Sequence, residues 1–271
     1  MMADGFLPAL SAVVHAFFLV AGVYIYVSLV RQISSRVTEP DVPFVRKFDR
    51  PEAVLAVCLV VLFFYTVAGD SSQKVTRMGN QDLIYSAAFT IGLLLAVAGF
   101  LRLRRFDLDA LGGFSKMGFF RTAVTGGILM LAAYPLIFLA DVITQRLLQK
   151  PPEKQAIVDL FNASSTLEQR ILIIVLAVSV APLAEEFIFR FFLYGVLKRY
   201  AGRAVGVLVS ALLFAAVHAH APSFAPLFVL GGCFALAYEW SGSILVPMTM
   251  HAVFNALTLT ALAYPELIQQ R

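Results

Sequence analysis

The feature that most limits what this chain can fold into is the length of its apolar blocks. They lie at Phe6–Val30, Ala53–Gly69, Leu83–Leu101, Thr122–Ala140, Leu167–Leu197, Ala204–His218, Phe224–Tyr238 and Ile244–Tyr264. A helix needs about 20 predominantly apolar residues to cross a hydrocarbon core of about 30 Å. Inside lipid, only helices and closed barrels satisfy their own backbone groups. Blocks of this length are helical spans, so the expected fold is all-α: a polytopic membrane helical bundle of about eight transmembrane helices. Composition agrees, since 60% of the 271 residues are hydrophobic and 14% charged. A soluble domain has about 45–50% and about 25%. No single soluble core absorbs that excess.

Net charge is +4, and no basic stretch is interleaved with aromatics. The bilayer is therefore an expected partner and nucleic acid is not. Cys58 and Cys233 both sit inside apolar blocks and are read as packing residues rather than as a disulfide or a thiolate cluster. Met1-Met2-Ala3-Asp4-Gly5 brings no positive charge ahead of the first block, so that block is expected to be a retained anchor. Arg31, Arg36, Arg46, Lys47 and Arg50 follow the first span, and Arg102, Arg104, Arg105, Lys116 and Arg121 follow the third. Lys198, Arg199 and Arg203 follow the fifth, whereas only Lys74 and Arg77 follow the second. The positive-inside rule then groups the odd-numbered loops on the cytoplasmic side. The chain is expected to be a multi-pass integral membrane protein of a prokaryotic plasma membrane.

Organisation follows the charges. Residues 1–140 hold four ordinary spans, 141–165 form a polar connection containing Pro151-Pro152, and 166–264 form a core of four helices that carry ionisable residues. Ser165-Thr166-Leu167-Glu168 has capping-box spacing, which starts helix five there. Gly195 and Gly202 are read as close-packing or turn positions.

In helix five, Glu185, Glu186 and Arg190 interrupt an apolar stretch. Each charge at the centre of a span costs at least about 2.5–3.5 kcal/mol, so such groups are paired or functional. Glu186 and Arg190 are four apart with the acid first, a favourable pairing on one helix face. Glu185 points about 100° away and stays available to another partner. The plain alternative is that both acids bridge Arg190 to lock helices together. Helix six ends on Phe214 and His218, also four apart, so the aromatic ring packs beneath the imidazole; His220 falls at the rim. Helix eight carries His251 and Asn255 on one face, a pairing that also serves as interhelical glue in bundles. Together, an acid, two histidines and an amide make a convergent polar centre. A carboxylate with a histidine can deprotonate water, and a histidine with an amide can donate to an oxyanion, the division of labour of peptide hydrolysis.

Glu-Glu-x-x-x-Arg at Glu185, Glu186 and Arg190, Phe-x-x-x-His at Phe214 and His218, and His-x-x-x-Asn at His251 and Asn255 resemble the motifs of the CPBP family. These are the CAAX prenyl protease and bacteriocin-processing intramembrane endopeptidases, which include the Ras-converting CAAX endopeptidase. The resemblance covers about residues 165–260. It implies that Glu185 activates water with His218, that His251 and Asn255 stabilise the oxyanion, and that Glu186 and Arg190 brace the site. The implied partner is a peptide or protein substrate, lipidated or membrane-embedded.

No cofactor is expected in this reading. The alternative is zinc, which needs about three protein ligands and an open position, here Glu185, His218 and His251. A proton- or ion-coupled transporter and an immunity protein are the non-proteolytic alternatives. Other intramembrane protease classes fit less well. His-Glu-x-x-His is absent, Ser241-Gly242 lacks the Gly-x-Ser-Gly pattern, and Asp70 has no inward aspartate partner.

Overall fold

A computed structural model describes residues 3–36, 47–70, 79–149, 160–161, 164 and 166–263. The expectations concerning Arg46, Lys74, Arg77, Pro151-Pro152, Ser165, Tyr264 and the side chain of Asp70 lie outside the described residues. Among those described, all regular structure is helical. The elements are α1 (Ala3–Ser35), α2 (Arg50–Asp70), α3 (Asn80–Leu103), the short α4 (Leu108–Gly112) and α5 (Phe119–Leu148), followed by α6 (Leu167–Val175), α7 (Ala181–Glu186), α8 (Tyr194–Val217), α9 (Phe224–Ser241) and α10 (Leu245–Ala263). Two π-helical segments, Leu176–Val180 and Phe187–Leu193, join α6, α7 and α8 into one rod.

Among the described residues six helices are long and apolar enough to cross a membrane, and Leu245–Ala261 forms a shorter apolar one. One of the six, Leu167–Val217, runs for 51 residues and is two passes. Gly202 takes φ 82° and ψ 170°, a conformation open to glycine and costly for other residues. Across that turn the Phe189 ring packs on Phe214 at 5.6 Å, and a Cβ on Gly206 would stand 3.1 Å from the Lys198 nitrogen, so the chain doubles back as a tight hairpin. The eight apolar blocks thus become eight apolar passes of a polytopic bundle. Val13, Phe17, Val57, Tyr65, Tyr85 and Leu131 are more than 60% exposed, an apolar exterior that only lipid solvates.

The cap of α6 lies within one residue of the expected start. Thr166 Oγ1 accepts from the Gln169 N–H at 3.2 Å, which makes threonine the N-cap.

The loops after the odd-numbered passes meet at one end of the bundle. Arg36 donates to the carbonyl oxygens of Glu239 and Trp240 at 3.2 and 2.7 Å, and Arg203 donates to the Ile33 carbonyl at 2.9 Å. Lys198 and Arg203 both pair with the Glu239 carboxylate, at 2.7 and 2.8 Å. The short α4 docks at the same end. Asp107 caps it by accepting from Asp109 N and Ala110 N, Tyr238 Oη donates to the Leu111 carbonyl at 2.8 Å, and the Ile244 N–H donates to the Gly112 carbonyl at 2.8 Å. Gly113, at φ 59°, closes this contact so tightly that a Cβ would overlap the Gly242 carbonyl oxygen. Gly113→Ala is therefore expected to destabilise by about 1–3 kcal/mol. In detergent, thermal unfolding should show a clear drop for that variant. Gly127→Ala, where a Cβ would meet nothing within 4 Å, should unfold like the parent protein.

Candidate active site

The polar centre forms where α10 lies against the rod built from α6, α7 and the π-helical segments. Pro182 sits at the start of α7, inside a continuous helix. Proline lacks the N–H that would close the helical ladder, and the ladder on both sides runs in π register. Such registers occur mostly as local bulges at functional sites. Both acids follow immediately.

Glu186 is fully buried and its Oε1 is shared. Arg190 Nη1 donates to it at 2.8 Å, and His251 Nδ1 donates to it at 2.8 Å. The pairing of Glu186 with Arg190 follows the spacing; the second donor comes from another helix. Glu185 is the accessible acid, its side chain 29% exposed against 0% for Glu186. Its Oε2 lies 4.0 Å from His251 Nε2 and is a buried atom with no hydrogen-bond partner among the described residues. Glu186 therefore braces His251 with Nε2 turned toward Glu185.

Arg190 is also fully buried. Its guanidinium lies 4.2 Å from the Phe214 ring centroid, 5.0 Å from that of Phe234 and 5.9 Å from that of Phe189. Aromatic faces stabilise a desolvated cation by up to about 2 kcal/mol or more, which offsets part of the burial. Phe214 is the hub. Its ring meets His218 at 4.8 Å and His251 at 5.7 Å, both edge to face. Phe234 stacks on His251 at 5.1 Å, so the imidazole is held by a carboxylate on its edge and a ring on its face.

His218 ends α8. Its Nδ1 donates to the Phe214 carbonyl at 2.7 Å; because a carbonyl only accepts, Nδ1 carries the proton and Nε2 faces away as the second ring nitrogen. Ala219 follows at φ 50°, a left-handed conformation that stops the helix directly behind His218. His220 bonds Ser223 Oγ at 2.8 Å, just beyond the helix end. Asn255 sits on the same face of α10 as His251, and its Nδ2 donates to the Ala177 carbonyl at 2.7 Å. The structure thus joins Glu186, Arg190 and His251 directly, leaves Glu185 Oε2 4.0 Å from His251, brings His218 to them through Phe214, and sets Asn255 on the helical segment that precedes the acids.

Phe234 had no signal in the sequence. It is one of 24 phenylalanines and is placed by Gly231, whose missing Cβ lets α9 approach Ala211 and Phe214. For the zinc alternative, Glu185, His218 and His251 do not come together as a ligand group. Among the described residues no three His, Cys, Asp or Glu side chains are grouped to hold a metal ion.

Residues 167–257 match the family described as Type II CAAX prenyl endopeptidase Rce1-like. The match covers 167–257 of the 271 residues. All six polar residues selected from the sequence fall inside the Rce1-like segment. The membrane-embedded CAAX protease MroQ of Staphylococcus aureus (strain USA300) is 30% identical over 98 residues, covering 34% of this chain. The chain spans 40% of the length of that curated relative. No solved structure matches the chain.

Proposed function

We propose that this protein is an intramembrane endopeptidase in which Glu185 activates water without a metal. One observation carries the reading: Glu186 is fully buried with its Oε1 engaged by Arg190 and His251, while Glu185 is 29% exposed and turns its Oε2 to His251 Nε2 at 4.0 Å. Two adjacent carboxylates with such different surroundings take different tasks, one structural and one chemical.

In the proposed cycle Glu185 takes a proton from a water held with His218, and the water oxygen bonds to the carbonyl carbon of the scissile peptide. Negative charge moves onto the carbonyl oxygen, where His251 in its imidazolium form donates from Nε2. Glu186 orients that ring as the acid of a serine-protease triad orients its histidine. The tetrahedral species then collapses, the C–N bond breaks, and Glu185 returns its proton to the leaving amine. No step passes through zinc.

The substrate proposed is a peptide or protein segment that enters from the bilayer. Similarity of residues 167–257 to the Rce1-like family and the name of the staphylococcal relative support a CAAX-type, lipidated terminus and a bacterial plasma membrane. The test uses protein purified in detergent and a panel of tagged membrane peptides, lipidated and plain, with Glu185→Ala as control. Wild type is expected to cleave at least one and the variant none. Exhaustive chelation should leave that turnover intact, with metal analysis well below one equivalent. Turnover lost to the chelator and restored by added zinc overturns the metal-free mechanism, since zinc would then lower the pKa of its bound water to about 7.

A further inference from the structure

We infer that Asn255 is a positioning residue whose amide replaces the backbone N–H that Pro182 lacks, holding the π-helical turn that sets the direction of Glu185. The inference rests on the endopeptidase reading for its catalytic consequence, and on geometry alone for the strut itself.

The pattern of backbone hydrogen bonds decides it. In an α-helix the Ala177 carbonyl would accept from the Ala181 N–H, four residues on. Here the Ala181 N–H goes to the Leu176 carbonyl, five residues back. In that π register the donor for Ala177 would be residue 182, which is proline and has none. A carbonyl at membrane depth without a donor is costly, and such groups are nearly always satisfied from elsewhere. Asn255 Nδ2 does so at 2.7 Å. The acceptor is open because of Pro182 and the donor arrives from α10, so each half explains the other.

The consequence for the site is positional. Glu185 stands three residues after Pro182, and His251, one turn before Asn255 on the same helix face, holds Glu186. The helix that carries both acids is therefore pinned to α10 at two points, one before the acids and one at Glu186. Releasing the first lets the bulge move along the helix, which rotates Glu185 relative to His251. A displacement near 1 Å can cost about 10²-fold in turnover. An amide that served only as an oxyanion donor would be indifferent to residue 182.

A double-mutant cycle tests this, with turnover on a tagged membrane peptide and melting temperature in detergent read for wild type, Pro182→Ala, Asn255→Ala and the double variant. The Pro182→Ala substitution returns an N–H to the ladder. With Pro182 in place, Asn255→Ala is expected to lower kcat about 100-fold, with KM little changed. In the Pro182→Ala background the same substitution should cost less than about 10-fold, because the restored N–H takes over the carbonyl. The fall in melting temperature should likewise be larger with Pro182 present than without it. Equal losses in both backgrounds overturn the inference. Coupling in melting temperature with equal losses of kcat makes the contact a stabilising strut only, and overturns the positioning role. If wild type cleaves no peptide, the endopeptidase reading fails, while the melting cycle still decides whether the amide and the proline are linked.

Discussion

Glu185→Gln is expected to lower kcat by about 10²–10⁴-fold, the range a general base contributes, while the protein still folds and melts near the wild-type temperature. The substitution keeps the shape of the side chain and removes only the group that accepts the proton. Its fold should tolerate the change because Glu186, not Glu185, bonds Arg190, and Glu185 Oε2 has no hydrogen-bond partner among the described residues. Side-chain exposure of 29% also lets the new amide be solvated. Steady-state cleavage by the purified variant checks the rate, and a thermal scan in the same detergent checks the fold. Near wild-type cleavage by Glu185→Gln would remove Glu185 from the chemistry.

The neighbouring residue should behave in the opposite way. Glu186→Gln leaves the buried Arg190 guanidinium without its paired carboxylate, and breaking a dry ion pair from one side costs about 3–5 kcal/mol. The loss reaches further than one pair, because Glu186 Oε1 also receives His251 Nδ1. A large fall in melting temperature or in yield is expected. Removing both charges with Glu186→Gln and Arg190→Met should recover much of that stability, since a neutral pair of similar volume avoids the desolvation of either ion. Activity should not return, because His251 would still lack the carboxylate that holds its ring. A Glu186→Gln protein as stable as wild type yet inactive would exchange the roles given to the two acids.

The contrast between the adjacent glutamates is legible in the sequence. Helical spacing sets Glu186 with Arg190 and turns Glu185 away, and it sets Phe214 under His218, because both statements concern residues on one helix. The all-helical, multi-pass architecture is equally legible, since apolar blocks of span length have few physical alternatives in lipid. The gathering of the odd-numbered loops at one end is implied by the distribution of Lys and Arg. The folding of helices five and six as one rod doubled at Gly202 is half legible: a glycine there suggests a turn or a packing position, and its φ of 82° assigns the turn.

Contacts between helices are not available in that way. That His251 donates to Glu186 depends on how α10 crosses α7, and no spacing within either helix encodes a crossing. The cage of Phe189, Phe214 and Phe234 around Arg190 needs residues of three elements at once, and a phenylalanine in an apolar block looks the same whether it meets lipid or a guanidinium. Pro182 implies a defect in the ladder, but where the open carbonyl finds its donor is a matter of tertiary approach. By itself the sequence determined the medium, the run of apolar passes and which acid pairs with Arg190, because hydrophobic run length and helical period are local properties. The tertiary structure alone decided which nitrogen of His251 meets Glu186, what shields Arg190 and what satisfies Ala177, because each is set by the register between helices far apart in the chain.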